Sequence, residues 1–238
     1  MSYYGFPQYV SVAEKRKKAE RSLDKLKKKY PDISPVMIEG RTIAKTWWGK
    51  AWNTNLEKYA DFSNRITRGK SYVRNGAVLD LKIEPNKVKA LVQGSGSKPY
   101  QVDIAISPIS PAKMNEIIQI CNHKIDTMEE LLEGKFPKEL EILFTKPESG
   151  LFPSPKEIRF TCSCPDIARV CKHVAAVLYG IGARFDKESY LFFKLRNLDV
   201  DDLIKKSMDK KMDEMLKNAG SKSKRAIDDS DVSDLFGL

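Results

Sequence analysis

Between Cys162 and His173 the chain sets out Cys-x-Cys, six residues, then Cys-x-His, using three of its four cysteines and one of its two histidines. Thiolate sulfur and imidazole nitrogen are zinc ligands, and a set of four fills a tetrahedral shell with no position left for an activated water. The expected role is therefore structural: Cys162, Cys164, Cys171 and His173 hold one zinc ion that builds local fold. The flanking sequence supplies the geometry. Side chains two apart on an extended segment share a face, so Cys162 and Cys164 can grip one ion. Pro165-Asp166 turns the chain. Cys171 and His173 then fall at the entry to a helix, where Val174, Val177, Leu178 and Ile181 recur at helical spacing and Gly180 and Gly182 mark its expected end. Three thiols plus a histidine is a poor disulfide set, and the sequence reads as having no secretory leader and no apolar run of membrane length. A reducing cytoplasm and no membrane association are expected.

Other chemistry fares less well. Cys121-x-His123 repeats half of the pattern at the end of a predicted helix with no second pair nearby, and reads as a structural cysteine beside a solvent-facing histidine. Gly94-Ser95-Gly96-Ser97 invites a phosphate-loop reading, but Pro99 stands where a dinucleotide fingerprint needs glycine and no Gly-Lys-Ser/Thr follows, leaving a hairpin loop. There is no His-Glu-x-x-His and no Gly-x-Ser-x-Gly. Asp80, Glu84 and Asp103 would have to converge to hold magnesium; on a sheet face they read instead as cross-strand partners of Lys82, Lys87 and Lys89. The expectation is a protein that is not an enzyme, with no small-molecule substrate.

Cys162-x-Cys164, six residues, Cys171-x-His173 and the apolar run Val174 to Ile181 resemble the SWIM zinc finger. The resemblance extends to Arg41–Trp52 (RTIAKTWWGKAW), Arg68–Asp80 (RGKSYVRNGAVLD), Val92-Gln93-Gly94-Ser95, Gly150–Pro153 (GLFP) and Cys171–Ala183 (CKHVAAVLYGIGA). From about residue 5 to about residue 204 the chain is similar to the prokaryotic stand-alone SWIM zinc finger proteins, which are thought to work beside Snf2-type helicase-like ATPases. The resemblance implies a zinc-binding accessory protein with such an ATPase as partner, and all four ligand positions match it.

Composition sets the frame. With 41% hydrophobic and 31% charged residues over 238 positions, the chain can bury a core while remaining water-compatible, and its net charge of +10 points towards polyanions. Glu14 to Lys29 holds nine Lys or Arg against three acids. It reads as a basic helix with a thin apolar stripe of Ala13, Ala19, Leu23, Leu26 and Tyr30, serving either as a solvated face or, through Lys15, Arg16, Lys17 and Lys18, as a phosphate contact. Arg65, Arg68, Lys70 and Arg74 surround Tyr72, a mixture that can hold phosphates and stack a base, or simply cover a sheet edge. Arg169 and Lys172 add a basic surface to the metal segment.

The positioning elements follow from periodicity. Trp48, Trp52, Leu56 and Tyr59 share one face of a helix over 43–59 and read as packing anchors. Period-two alternation from Lys70 to Ser107 predicts a four-stranded antiparallel meander: a strand at Tyr72, a hairpin at Asn75-Gly76, then Leu79 to Ile83, Val88 to Val92 and Val102 to Ile106. Ser110-Pro111 opens a helix, Asp126 to Glu129 a second, and Pro137 to Phe144 a third. Leu191, Phe192, Leu195 and Leu198 give the packing face of helix in 188–206. The expected class is α+β, a helix-packed antiparallel meander carrying an embedded zinc finger.

The expected division is a basic arm at 1–40, an α+β domain at 41–144, a linker at 145–157, the finger with its helices at 158–206, and a charged flexible tail at 207–238. The tail ends Ser233-Asp234-Leu235-Phe236-Gly237-Leu238, which faintly resembles peptides that dock on bacterial sliding clamps or folds back on the parent domain. Function is expected to be nucleic-acid binding, DNA foremost, and recruitment of the ATPase. The competing expectation is an adaptor whose zinc builds a docking face and which touches no nucleic acid.

Overall fold

The structure is a computed structural model that describes residues 10–58, 63–121, 144–146 and 150–219. Three helices, α1 (Val12–Lys29), α2 (Trp47–Glu57) and α3 (Ser63–Arg74), precede strands β1 (Val78–Glu84), β2 (Lys87–Val92) and β3 (Tyr100–Ile106). Helix α4 (Pro111–Cys121) leads to strand β4 (Ile158–Cys162), followed by α5 (Lys172–Lys187), α6 (Tyr190–Leu195) and α7 (Val200–Ala219). The four strands form one antiparallel sheet in the order β1-β2-β3-β4, so the fold is α+β.

Two expectations about the meander are corrected. The expected strand at Tyr72 is instead part of the last turns of α3, and Asn75-Gly76 is not a hairpin. Gly76 takes φ +68° while its N–H bonds the Val73 carbonyl and the Ala77 N–H bonds that of Tyr72, which is a Schellman helix stop. Asn-Gly favours left-handed backbone in either setting, and here the preceding helix wins. The fourth strand comes from the Cys/His segment instead: β4 pairs with β3 in a register that sets Cys162 opposite Val102 and Ile158 opposite Ile106. One sheet thus joins residues on both sides of the segment read as a linker, where Leu151, Phe152 and Pro153 are buried.

Helix α5 is the axis of the packing. Its residues from His173 to Ala183 and Phe185 are buried, between the sheet and helices α2 and α3. It runs on through Gly180 and Gly182, against the expected end there. These glycines serve close approach: a Cβ on Gly182 would stand 2.5 Å from Asn53 Oδ1 and 3.2 Å from the Gly49 carbonyl of α2. The same crossing carries Trp52, fully buried, whose indole N–H donates to the Leu178 carbonyl at 3.0 Å and whose ring meets Phe152 and Phe185 edge-on. Asp186 ties the helix end down by accepting from the backbone N–H groups of Lys45 and Thr46 and from the Thr46 hydroxyl. The expected anchors Leu191, Phe192, Leu195 and Leu198 are all buried.

A charged cluster lies under this core. Glu157 Oε1 accepts from Arg196 at 3.2 Å and sits 3.6 Å from Lys113 Nζ, with the Arg196 side chain fully enclosed. Arg196 also donates to the Ser107 carbonyl at 3.2 Å, so the cluster fastens β3, the approach to β4 and the end of α6.

The tail expected from 207 is also corrected: α7 continues to Ala219, since Asp199 accepts from the N–H groups of Asp201 and Asp202 and opens a helix with no breaker before Gly220. The helix expected to open at 126–129, the helix expected over 137–144 except for Phe144 itself, Tyr59, His123 and the ending at 220–238 lie outside the described residues. Among the described residues no helix is long and apolar enough to cross a membrane.

Candidate metal centre and basic clefts

The metal segment is held by elements on either side. Strand β4 ends at Cys162, and the ladder to β3 continues one residue further, with Ser163 N–H donating to the Gln101 carbonyl at 3.0 Å and Ser163 Oγ accepting from Gln101 N–H at 2.9 Å. This presents Cys162 and Cys164 together. The chain then turns through Asp166, which accepts from the Ala168 N–H, and buries Val170. Cys171 is the N-cap of α5, its Sγ accepting from Val174 N–H at 3.5 Å, and His173 follows in the first turn.

The ligand atoms of Cys162, Cys164, Cys171 and His173 all lie within 4.8 Å of one another, and His173 Nδ1 is 3.9 Å from the sulfurs of both Cys162 and Cys171. A tetrahedral ion with sulfur at about 2.3 Å and nitrogen at about 2.0 Å spaces its ligand atoms about 3.5 to 3.8 Å apart, so the cluster fits a four-coordinate ion after small closing shifts. The three thiols are unlinked by disulfides. Cys171 and His173 are buried and Cys162 and Cys164 half-buried. These four residues are placed to hold a metal ion.

The thiols are electrostatically unequal. The hydrogen bond with Cys162 holds the Cys171 thiol down, to about 4, with His173, the Val174 N–H and Cys164 adding to the effect against burial. Cys162 is pushed up by the same pairing and by burial. A thiolate at a helix N-terminus is the ready ligand, and an arriving cation displaces the remaining protons.

Two tyrosines hold the imidazole: Tyr100 lies with ring centroids 4.5 Å away and Tyr72, on α3, stands edge-on at 5.4 Å. Gly94 closes the third side. A Cβ there would stand 2.4 Å from the Tyr100 ring and 2.8 Å from His173 Nε2. Gly94→Ala is therefore expected to displace the imidazole and weaken metal retention by roughly 10- to 100-fold, read by competition with a chromogenic chelator. Retention equal to wild type would show that Gly94 does not position His173.

The sequence-derived basic residues divide into groups. Around the end of α3 three clefts adjoin. Lys15 and Lys18 of α1 line a cavity of about 160 Å3 with Tyr72, Asn75, Gln93 and Ser95. Arg16 shares a second, of about 240 Å3, with Arg74 and Asn75, and its Nε donates to Asn75 Oδ1 at 3.3 Å. Lys70 and Arg74 meet Arg41 and Lys50 along a third, of about 380 Å3. Arg65 is instead bound to Asp166 of the metal loop at 3.0 Å, and Arg169 donates to the Pro155 carbonyl at 2.6 Å. Lys17, Arg68, Arg169 and Lys172 line none of the three clefts. Sequence reading missed Arg41, Lys50, Gln93 and Tyr100; the signal for the first three was their place in the quoted stretches 41–52 and 92–95. The acids behave as expected in part: Glu84 pairs with Lys89 at 3.4 Å, but Asp80 is buried and accepts from the Ser34 N–H at 2.8 Å.

No protein-family model matches the chain, and no solved structure matches it. Over 185 residues it is 34% identical to the uncharacterized protein Rv2102 of Mycobacterium tuberculosis (strain ATCC 25618 / H37Rv), covering 74% of this chain and 66% of that one. The chain is thus similar to that mycobacterial protein through most of its own length and spans just under two thirds of its relative.

Proposed function

We propose that this is a zinc-binding accessory protein that grips nucleic acid, DNA foremost, and works beside a Snf2-type helicase-like ATPase. Zinc is the metal that a closed set of three cysteines and one histidine suits best. Its role is to clamp β4 to the N-terminus of α5, the helix against which α3 is packed. The observation that carries the reading is the convergence of basic side chains from three separate segments, Arg16 from α1, Arg41 and Lys50 from the α2 region, and Lys70 and Arg74 from α3, on adjoining clefts at one end of α3. Lys70 is ion-paired with Glu57 at 2.8 Å and Glu20 lines the cleft of Arg16, yet the basic side chains still outnumber the acids, and that excess gains from a polyanion that neutralises it. The ATPase partner rests on the resemblance of the Cys/His pattern and its flanking stretches to SWIM proteins.

The test is a titration of full-length protein with duplex DNA across salt. Affinity is expected to fall with log-log slope near one per phosphate contact, and Lys70→Gln with Arg74→Gln to reduce that slope by about two. Binding indifferent to salt, or a slope unchanged in the double variant, would overturn the surface assigned here.

A second reading, the adaptor, draws on α7. Met208, Met212, Met215 and Leu216 recur at helical spacing and are each more than half exposed, which suits a protein-docking face. Capture of an ATPase that survives nuclease, with no gel shift by the protein alone, would favour it.

A further inference from the structure

We propose that the cleft between α1, Tyr72 and the β2–β3 loop receives one unpaired nucleobase, so that the protein grips single-stranded segments of nucleic acid. The inference rests on the nucleic-acid reading above and names the form of ligand. The cleft has one aromatic wall, Tyr72, an apolar floor at Ala77, and a lid in which Lys18 Nζ donates to the Ser95 carbonyl at 2.6 Å. Its volume of about 160 Å3 is below the range of whole-cofactor pockets, which start near 300 Å3, and suits a single ring system.

Gln93 supplies the polar reader. The residue is 4% exposed, and its side-chain N–H group donates to the carbonyls of Gly94 and Gly96 at 3.0 and 2.9 Å, which fixes the carboxamide. Oε1 is buried with no hydrogen-bond partner among the described residues. A buried amide oxygen left without a donor carries a desolvation cost that an incoming N–H removes. The Watson–Crick edge of every nucleobase carries an N–H group, whether a ring imide or an exocyclic amine. An aromatic wall and a buried acceptor, with Lys15 and Lys18 at the rim, answer the three parts of an extruded nucleotide: ring face, base edge and flanking phosphates. In duplex DNA the Watson–Crick edges are paired and the ring faces stacked, so this cleft is closed to its bases.

The experiment compares, on the full-length zinc-loaded protein at one fixed salt concentration, four probes of equal length: single-stranded DNA, single-stranded RNA, duplex DNA and a DNA strand whose internal sites are abasic. Base-bearing single strands are expected to bind at least about tenfold tighter than the abasic strand, the yield of one stacked base. The DNA and RNA arms identify the source of the base. Gln93→Met, which keeps the side-chain length and removes the acceptor, is expected to reduce that ratio while leaving the salt slope unchanged. Equal binding of base-bearing and abasic strands would overturn the inference and leave the phosphate-binding surface standing. Binding of no probe would overturn both.

Discussion

Cys171→Ser is expected to abolish metal binding and to lower the melting temperature of the zinc-loaded protein by at least about 10 °C. Serine is a good N-cap, so the hydrogen bond now made from the Val174 N–H to Cys171 is replaced and α5 keeps its first-turn cap. What is lost is the ion. In isolated finger peptides a structural zinc is linked to on the order of 10 kcal/mol of folding free energy. Here part of that is offset by the core that α5 builds with α2, α3 and the sheet, so an effect of at least several kcal/mol remains, and for a chain of this length each kcal/mol shifts melting by about 2 to 4 °C. Chelating the metal from the wild type is expected to reproduce the shift, and zinc readdition to reverse it. The variant should also lose the charge-transfer absorption of the cobalt-substituted protein. A Cys171→Ser protein that melts with the wild type would mean that the four residues cluster for packing and not for a metal.

Glu157→Gln is the second large effect, about 3 to 5 kcal/mol of destabilisation at neutral pH. Breaking a buried ionic cluster by deleting one partner leaves the other charges unpaired, and here Arg196 is fully enclosed and Lys113 nearly so. The penalty has a pH signature. Burial raises the Glu157 carboxyl, but the Ser154 N–H and hydroxyl with Lys113 and Arg196 outweigh it, and the folded-state value ends below the ordinary carboxylate range. A group lowered in the fold contributes stability above its unfolded value, near 4.3, and loses it as pH falls through the folded value. The wild type should therefore lose stability below about pH 4 more steeply than Glu157→Gln, the two curves converging as acid increases. Measured in zinc-free protein, this separates the carboxylate from acid release of the metal. Parallel curves across that window would remove Glu157 from the account.

What the sequence disclosed was local. The four ligands stand within twelve residues, and their spacing on an extended segment and a helix start is set by covalent geometry, so the metal cluster was legible without a fold. Strands β1 to β3 were legible from period two, and Trp52 and the anchors Leu191, Phe192, Leu195 and Leu198 from helical spacing. Apart from the helix that runs on to Ala219, the failures involve tertiary context. Asn75-Gly76 serves equally as hairpin turn or helix stop, and only the helical hydrogen bonds of α3 decide between them. Gly180 and Gly182 end helices in the absence of neighbours; here Gly182 permits a close crossing against Gly49 and Asn53, and Gly180 packs against Leu81 and Val36. β4 as the fourth strand, and the clefts that join Lys15, Tyr72 and Gln93 or Arg41, Lys50, Lys70 and Arg74, bring together residues from distant segments, for which no local pattern exists.

Metal content tests the central claim most directly. Protein purified without added metal, weighed against its concentration by inductively coupled plasma mass spectrometry, is predicted to carry one zinc per chain. The zinc should be lost in Cys171→Ser and retained in Glu157→Gln. A wild-type preparation that contains no metal, takes up none when zinc is added and melts at an unchanged temperature with or without zinc would contradict the account.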